Sequence, residues 1–131
     1  MQDRPSAAEL LAAVRAFLET DVVPALGGRR LFHARVAANV LAIVERELAR
    51  EEDRLLDEWS RLARLLDVSG DPPPRLELLR RGVRDLDEAL AERIRSGDAD
   101  AGEFADRVRA HLRATVLDKL RVANPKFLGE P

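Results

Sequence analysis

Apolar residues recur at three- and four-residue spacing along almost the whole chain, a period that predicts helices and no strands. Ser6-Ala-Ala-Glu9 reads as a capping box with Pro5 just outside it, so the first helix is expected over about 7–22. Leu10, Leu11, Val14, Phe17, Leu18 and Val22 share one of its faces, and Pro24 with Gly27-Gly28 ends it. A second helix over about 30–50 turns Phe32, Val36, Val40, Ile43, Val44 and Leu48 inward. From Arg29 to Asp67 there is neither Pro nor Gly. One helix over that stretch would be about 58 Å long, against about 36 Å for the diameter of a globule of this size. The stripe lapses at Arg50-Glu51-Glu52-Asp53 and resumes with Leu55, Trp59, Leu62 and Leu66, which predicts a turn and a third helix over 53–67.

Ser69-Gly70-Asp71-Pro72-Pro73-Pro74 is a rigid linker, because proline excludes helix up to the last of the three. The fourth helix, about 75–96, carries the cleanest stripe: Leu76, Leu79, Val83, Leu86, Leu90 and Ile94. Gly82 lies inside it and marks a candidate close crossing. Asp100-Ala-Gly-Glu103 opens a fifth helix over about 101–123, with Phe104, Val108, Leu112, Val116 and Leu120 inward, before a short tail at 124–131. The expectation is an all-α, single-domain antiparallel bundle of about five helices.

Composition narrows the chemistry. The chain has 131 residues, no cysteine and two histidines, which rules out disulfides, thiolate catalysis, cysteine zinc sites and histidine-rich metal sites. Its 22 basic and 24 acidic residues leave a net charge of −2, so no basic footprint for nucleic acid or an anionic membrane is present. No apolar run reaches the ~18–20 residues that span a bilayer, and the N-terminus has no export signal, so a cytoplasmic protein is expected. Glycine-rich phosphate loops, Gly-x-Ser-x-Gly and Glu-x-x-His pairs are all missing. Neither catalysis nor a cofactor nor a metal is expected of this chain.

What remains is a set of polar residues on faces that should be buried. His33 falls with Val36 and Val40; it reads either as a core histidine with an internal partner or as a contact to another molecule. His111, Thr115 and Lys119 form a polar stripe along the last helix, where an unpaired ammonium would be costly. Lys119 therefore pairs with a carboxylate such as Glu47, reaches solvent, or meets a partner. Arg35 and Asn39 line one flank of the second helix, with Arg46 further along it, and mid-helix Asn39 calls for a polar neighbour. Gly27-Gly28-Arg29-Arg30 at a helix start offers either an anion site built on Arg29 and Arg30 or a plain tight turn.

Three stretches carry a resemblance: Met1-Gln2-Asp3-Arg4-Pro5 with Ala8-Glu9-Leu10-Leu11, the segment Phe32 to Asn39, and Leu112 to Leu120 running on to Asn124-Pro125. Together they resemble a family of small bacterial proteins of unknown function, typically encoded beside aminoglycoside-phosphotransferase-like kinases and acyl-CoA-dehydrogenase-like enzymes. That family is similar to the small accessory subunit of 4-hydroxyacyl-CoA kinase. Residues 50–75 depart most from its pattern. The resemblance implies a non-catalytic subunit supporting a partner kinase that acts on hydroxyacyl-CoA thioesters, and it places His33, Arg35, Asn39, Thr115 and Lys119 within family motifs. The other readings are a small acyl-CoA or acyl-chain binding module, with Arg29 and Arg30 on the phosphates, and a homodimer with some other metabolic role.

Overall fold

The computed structural model describes residues 4–131; Met1 to Asp3, the start of the opening motif, lie outside the described residues. Four α-helices account for most of the chain, and no strand occurs among the described residues. α1 spans Ala7–Phe17 and opens on Ser6, whose hydroxyl accepts from the Glu9 backbone N–H while the Glu9 carboxylate accepts from the Ser6 N–H. A wider turn over Leu18–Val22 and a 3₁₀ turn over Val23–Ala25 continue it to the expected limit.

α2 runs without a break over Gly28–Leu65. The turn expected at 50–53 is absent, so four α-helices replace about five. Two facts explain the difference. No residue between Arg29 and Leu65 is a helix breaker. Glu51, in the middle of the charged run, is also fastened from α3 (Leu76–Arg95) by both nitrogens of an Arg80 fork, at 2.6 and 2.7 Å. α2 stops where Asp67 takes a positive φ of 55° and the Val68 N–H bonds back to the Ala63 carbonyl at 2.8 Å. α3 ends similarly: Gly97 has φ 92°, and the Asp98 N–H reaches the Arg93 carbonyl. α4 spans Gly102–Ala123, and a 3₁₀ turn over Pro125–Leu128 fills most of the expected tail.

The chain divides into two compact units, residues 1–50 with 122–124 and residues 51–121 with 125–131. The second unit holds the hydrophobic core. Trp59, Leu62, Ala63 and Leu65 of α2 pack with Leu79, Val83 and Leu90 of α3 and Val108 of α4, as the stripes of those segments predict. Gly82 faces the Trp59 indole and Pro73. The close crossing is therefore with an indole and a linker proline.

The first unit is built differently. Arg15 of α1 pairs with Glu45 of α2, and the Arg46 Nε–H donates to the Val122 carbonyl at 2.7 Å. Its buried residues are Ala34, Ala38 and Val122. Ile43, Leu11, Leu18 and Val22 are half-buried, but most of the apolar residues on these faces are not. Leu10, Val14 and Phe17 of α1 are exposed, and so are Phe32 (64%), Val36, Val40 (50%), Val44 and Leu48 of α2. In the second unit Ile94, Leu112 and Val116 are exposed as well. The periodicity was real, but a unit of two helices and a three-residue segment cannot cover both sides of α2. Ala34 and Ala38 take the inner side, and the ridge 32–36–40–44–48 lies on the other.

Candidate functional site

The second unit gathers a polar cluster where α2, α3 and α4 meet. α4 contributes His111, Thr115 and Lys119, which stack one turn apart because helical side chains recur at four-residue spacing. Two turns of α2 contribute Glu58 and Arg61, and α3 contributes Asp87. The Thr115 hydroxyl donates to Glu58 Oε1 at 3.4 Å, and Arg61 Nη2 donates to Asp118 Oδ2 at 3.2 Å. His111 is buried, at 5% exposure. Lys119 is exposed, and the carboxylate that feels its charge is Asp87. The polar stripe read from the sequence is thus met by acids of α2 and α3: Thr115 by Glu58, and Lys119 by Asp87.

Burial sets the electrostatics. The His111 pKa is held below the ordinary histidine value first by desolvation and then by the nearby Arg61 guanidinium, with Glu58 pulling the other way. At neutral pH the ring is therefore the uncharged imidazole, one nitrogen of which is a donor and the other an acceptor. The Asp87 carboxyl is pushed up by desolvation, and the Lys119 ammonium offsets part of that. Two buried nitrogens, Arg61 Nε and His111 Nδ1, have no hydrogen-bond partner. Leaving a buried polar atom unmet costs about 1–3 kcal/mol. The Arg61 Nε–H calls for an acceptor, and His111 Nδ1 calls for a donor or an acceptor according to the tautomer of the ring.

Glu58, Asp87 and His111 each bring one ligand atom within 4.8 Å of the others. Two carboxylates and an imidazole are donors a divalent transition metal accepts. The surroundings oppose that use, because cations already flank the cluster: the Arg61 guanidinium beside His111 and the Lys119 ammonium beside Asp87. We read the three as a polar network that ties three helices together.

The remaining sequence candidates lie in the first unit. His33 is exposed, not turned into an apolar core, and its Nε2 accepts from Arg29 Nε at 3.2 Å while Phe32 packs edge-on to its ring. The inward placement expected for His33 fails as it does for Val36 and Val40: all three are exposed. Arg35 and Asn39 are exposed on the same helix. Arg29 and Arg30 are both exposed at the start of α2, and Arg29 is drawn along the helix to His33, away from the backbone N–H groups of the first turn. Sequence reasoning missed Glu58, Arg61 and Asp87: Glu58 ends the charged run from Arg50, which reads as a connection and exposed face, and nothing local marks Arg61 or Asp87.

A family model described as Domain of unknown function (DUF6285) matches residues 24–127, most of the chain. The chain belongs to that family. The DUF6285 match takes in α2, α3 and α4 and therefore the whole polar cluster, whereas α1 precedes it. No curated protein and no solved structure matches the chain. No described helix of this DUF6285 chain is long and apolar enough to cross a membrane.

Proposed function

We propose that this DUF6285 chain is a non-catalytic accessory subunit of a phosphotransferase-fold kinase acting on hydroxyacyl-CoA thioesters. The observation that carries the reading is the exposed ridge Phe32, Val36, Val40, Val44 and Leu48, joined in the same unit by the exposed Leu10, Val14 and Phe17. Large contiguous apolar patches are uncommon on monomers and mark interaction surfaces. Obligate interfaces in particular resemble a core cut in half, and a helical segment that buries Ala34 and Ala38 while its Phe, Val and Leu are exposed has that character. The kinase enters through the resemblance of residues 32–39 and 112–125 to the accessory-subunit family. Nucleotide and Mg²⁺ would bind the kinase, and this chain would supply surface that keeps it folded and completes its substrate cleft.

Co-expression with a kinase of that class from the same organism tests the reading. The kinase is expected to be soluble and active with this chain and to lose both without it. The double variant Val36→Glu/Val40→Glu is expected to abolish co-purification while leaving the helical circular dichroism of the isolated chain unchanged. A kinase equally soluble and active alone would overturn the proposal. Light scattering on the isolated chain separates a second copy on the same ridge from a different partner.

A further inference from the structure

The second unit has an open cleft of about 410 Å³ lined by Arg61, Arg64, Leu65, Arg107, Ala110 and His111. Its wall brings three guanidiniums together in a chain whose net charge is −2. Among the described residues no carboxylate pairs with Arg64 or Arg107. Arg61 bonds Asp118, which is shared with Arg121. Arg64 bonds only the Ser60 carbonyl, and Arg107 only the Arg64 carbonyl, at 2.8 Å. Arg61 Nε and His111 Nδ1, both buried and without a hydrogen-bond partner among the described residues, belong to two of the side chains that form this wall.

We infer that the cleft is a binding site for a small molecule bearing an oxyanion, a phosphate monoester or a carboxylate, on a short apolar body. The argument has three parts. The buried Arg61 Nε–H lacks an acceptor, and an oxyanion supplies several acceptors at one point. Guanidinium forks match planar carboxylate and phosphate edges with two hydrogen bonds each, and three of them surround the cleft. Leu65, Ala110 and the aliphatic stems of the arginines supply the apolar wall a ligand body needs, and the volume lies in the range of small-molecule sites. Two acids approach His111, Glu58 from α2 and Asp87 from α3. The Thr115 hydroxyl donates to Glu58 and the Lys119 ammonium lies beside Asp87, which leaves Arg64 and Arg107 as the cleft's uncompensated charges. This site is separate from the ridge of the first unit, and the inference stands or falls independently of the kinase partnership.

Nuclear magnetic resonance on the full ¹⁵N-labelled chain tests it. The chain has two histidines, so the His111 ring is readily assigned beside the arginine Nε–H signals. Inorganic phosphate, phenyl phosphate and benzoate are titrated at constant ionic strength, with sodium chloride as the control. The expected result is a saturable shift of His111 and of the Arg61 Nε–H, tighter for phenyl phosphate or benzoate than for inorganic phosphate, with the His33 ring unmoved. The more tightly bound of phenyl phosphate and benzoate names the oxyanion. Arg64→Ala and Arg107→Ala, both at exposed positions, are each expected to weaken binding at least tenfold with the circular dichroism spectrum retained. A shift that chloride reproduces, that never saturates, or that both alanine variants leave unchanged would overturn the site.

Discussion

The His111 ring, 5% exposed and close to Arg61, carries a pKa held below the ordinary histidine value. In the unfolded chain the same ring titrates at about 6.5. As the pH falls through that value the unfolded state takes up a proton that the native state resists, so the native state loses stability until its own depressed pKa is passed. The Asp87 carboxyl, raised by desolvation, works in the opposite direction but at the lower pH of carboxylates. Between pH 8 and pH 6 the histidine therefore decides the sign. Urea unfolding is expected to show stability falling on acidification, by at most about 1.4 kcal/mol per pH unit. His111→Gln is expected to flatten that slope, and an unchanged slope would mean that the ring is solvated when folded. At this scale the sequence showed half of the cluster. Four-residue spacing put His111, Thr115 and Lys119 on one side of a helix, but no local pattern could show that Glu58 and Asp87, far off in sequence, would meet them.

Among the elements, α3 and α4 were legible almost to the residue, because proline, glycine and an uninterrupted stripe bound them on both sides. The capping box of α1 was legible for a similar reason: Ser6 and Glu9 satisfy one another's backbone within one turn. The unbroken α2 was not. Its charged middle looks like a connection in one dimension, and only the Arg80 fork on Glu51 shows why it stays helical. Gly82 allows a sharper test of element packing. A methyl group built on it would meet Trp59 Cδ1 and Nε1 at 3.6 Å and Pro73 Cγ at 3.5 Å, ordinary van der Waals distances, and its φ is not in the left-handed region. Alanine fits that space and removes the entropic cost of a mid-helix glycine. Gly82→Ala is expected to raise stability by about 0.5–1 kcal/mol. Gly82→Leu would have to displace the indole and is expected to cost about 1–3 kcal/mol. Paired chemical denaturation curves give both values, and a destabilised alanine variant would mean that Trp59 approaches α3 more closely than these distances allow.

For the whole chain, the decisive contrast is in what each unit keeps from water. Residues 51–121 bury Trp59, four leucines from α2 and α3 with 0–3% exposure, and two valines from α3 and α4. Residues 1–50 bury two alanines, and the segment 122–124 adds Val122. Apolar burial stabilises at about 25 cal/mol per Å², so the second unit holds most of the stabilisation and the first has little of its own. Local opening free energies follow buried apolar contact. Hydrogen exchange of the isolated chain is therefore expected to show strong protection at residues 59–65, 79–90 and 105–111. Protection at residues 10–22 and 32–48 should be at least a hundredfold weaker, despite the same helical hydrogen bonds. A partner that covers the Phe32-to-Leu48 ridge removes that deficit by burying it, and protection of residues 32–48 should then rise towards that of the second unit. If those residues are already as protected in the isolated chain as residues 59–65, the ridge is not an unfinished core, and the structural support for an accessory subunit fails with it.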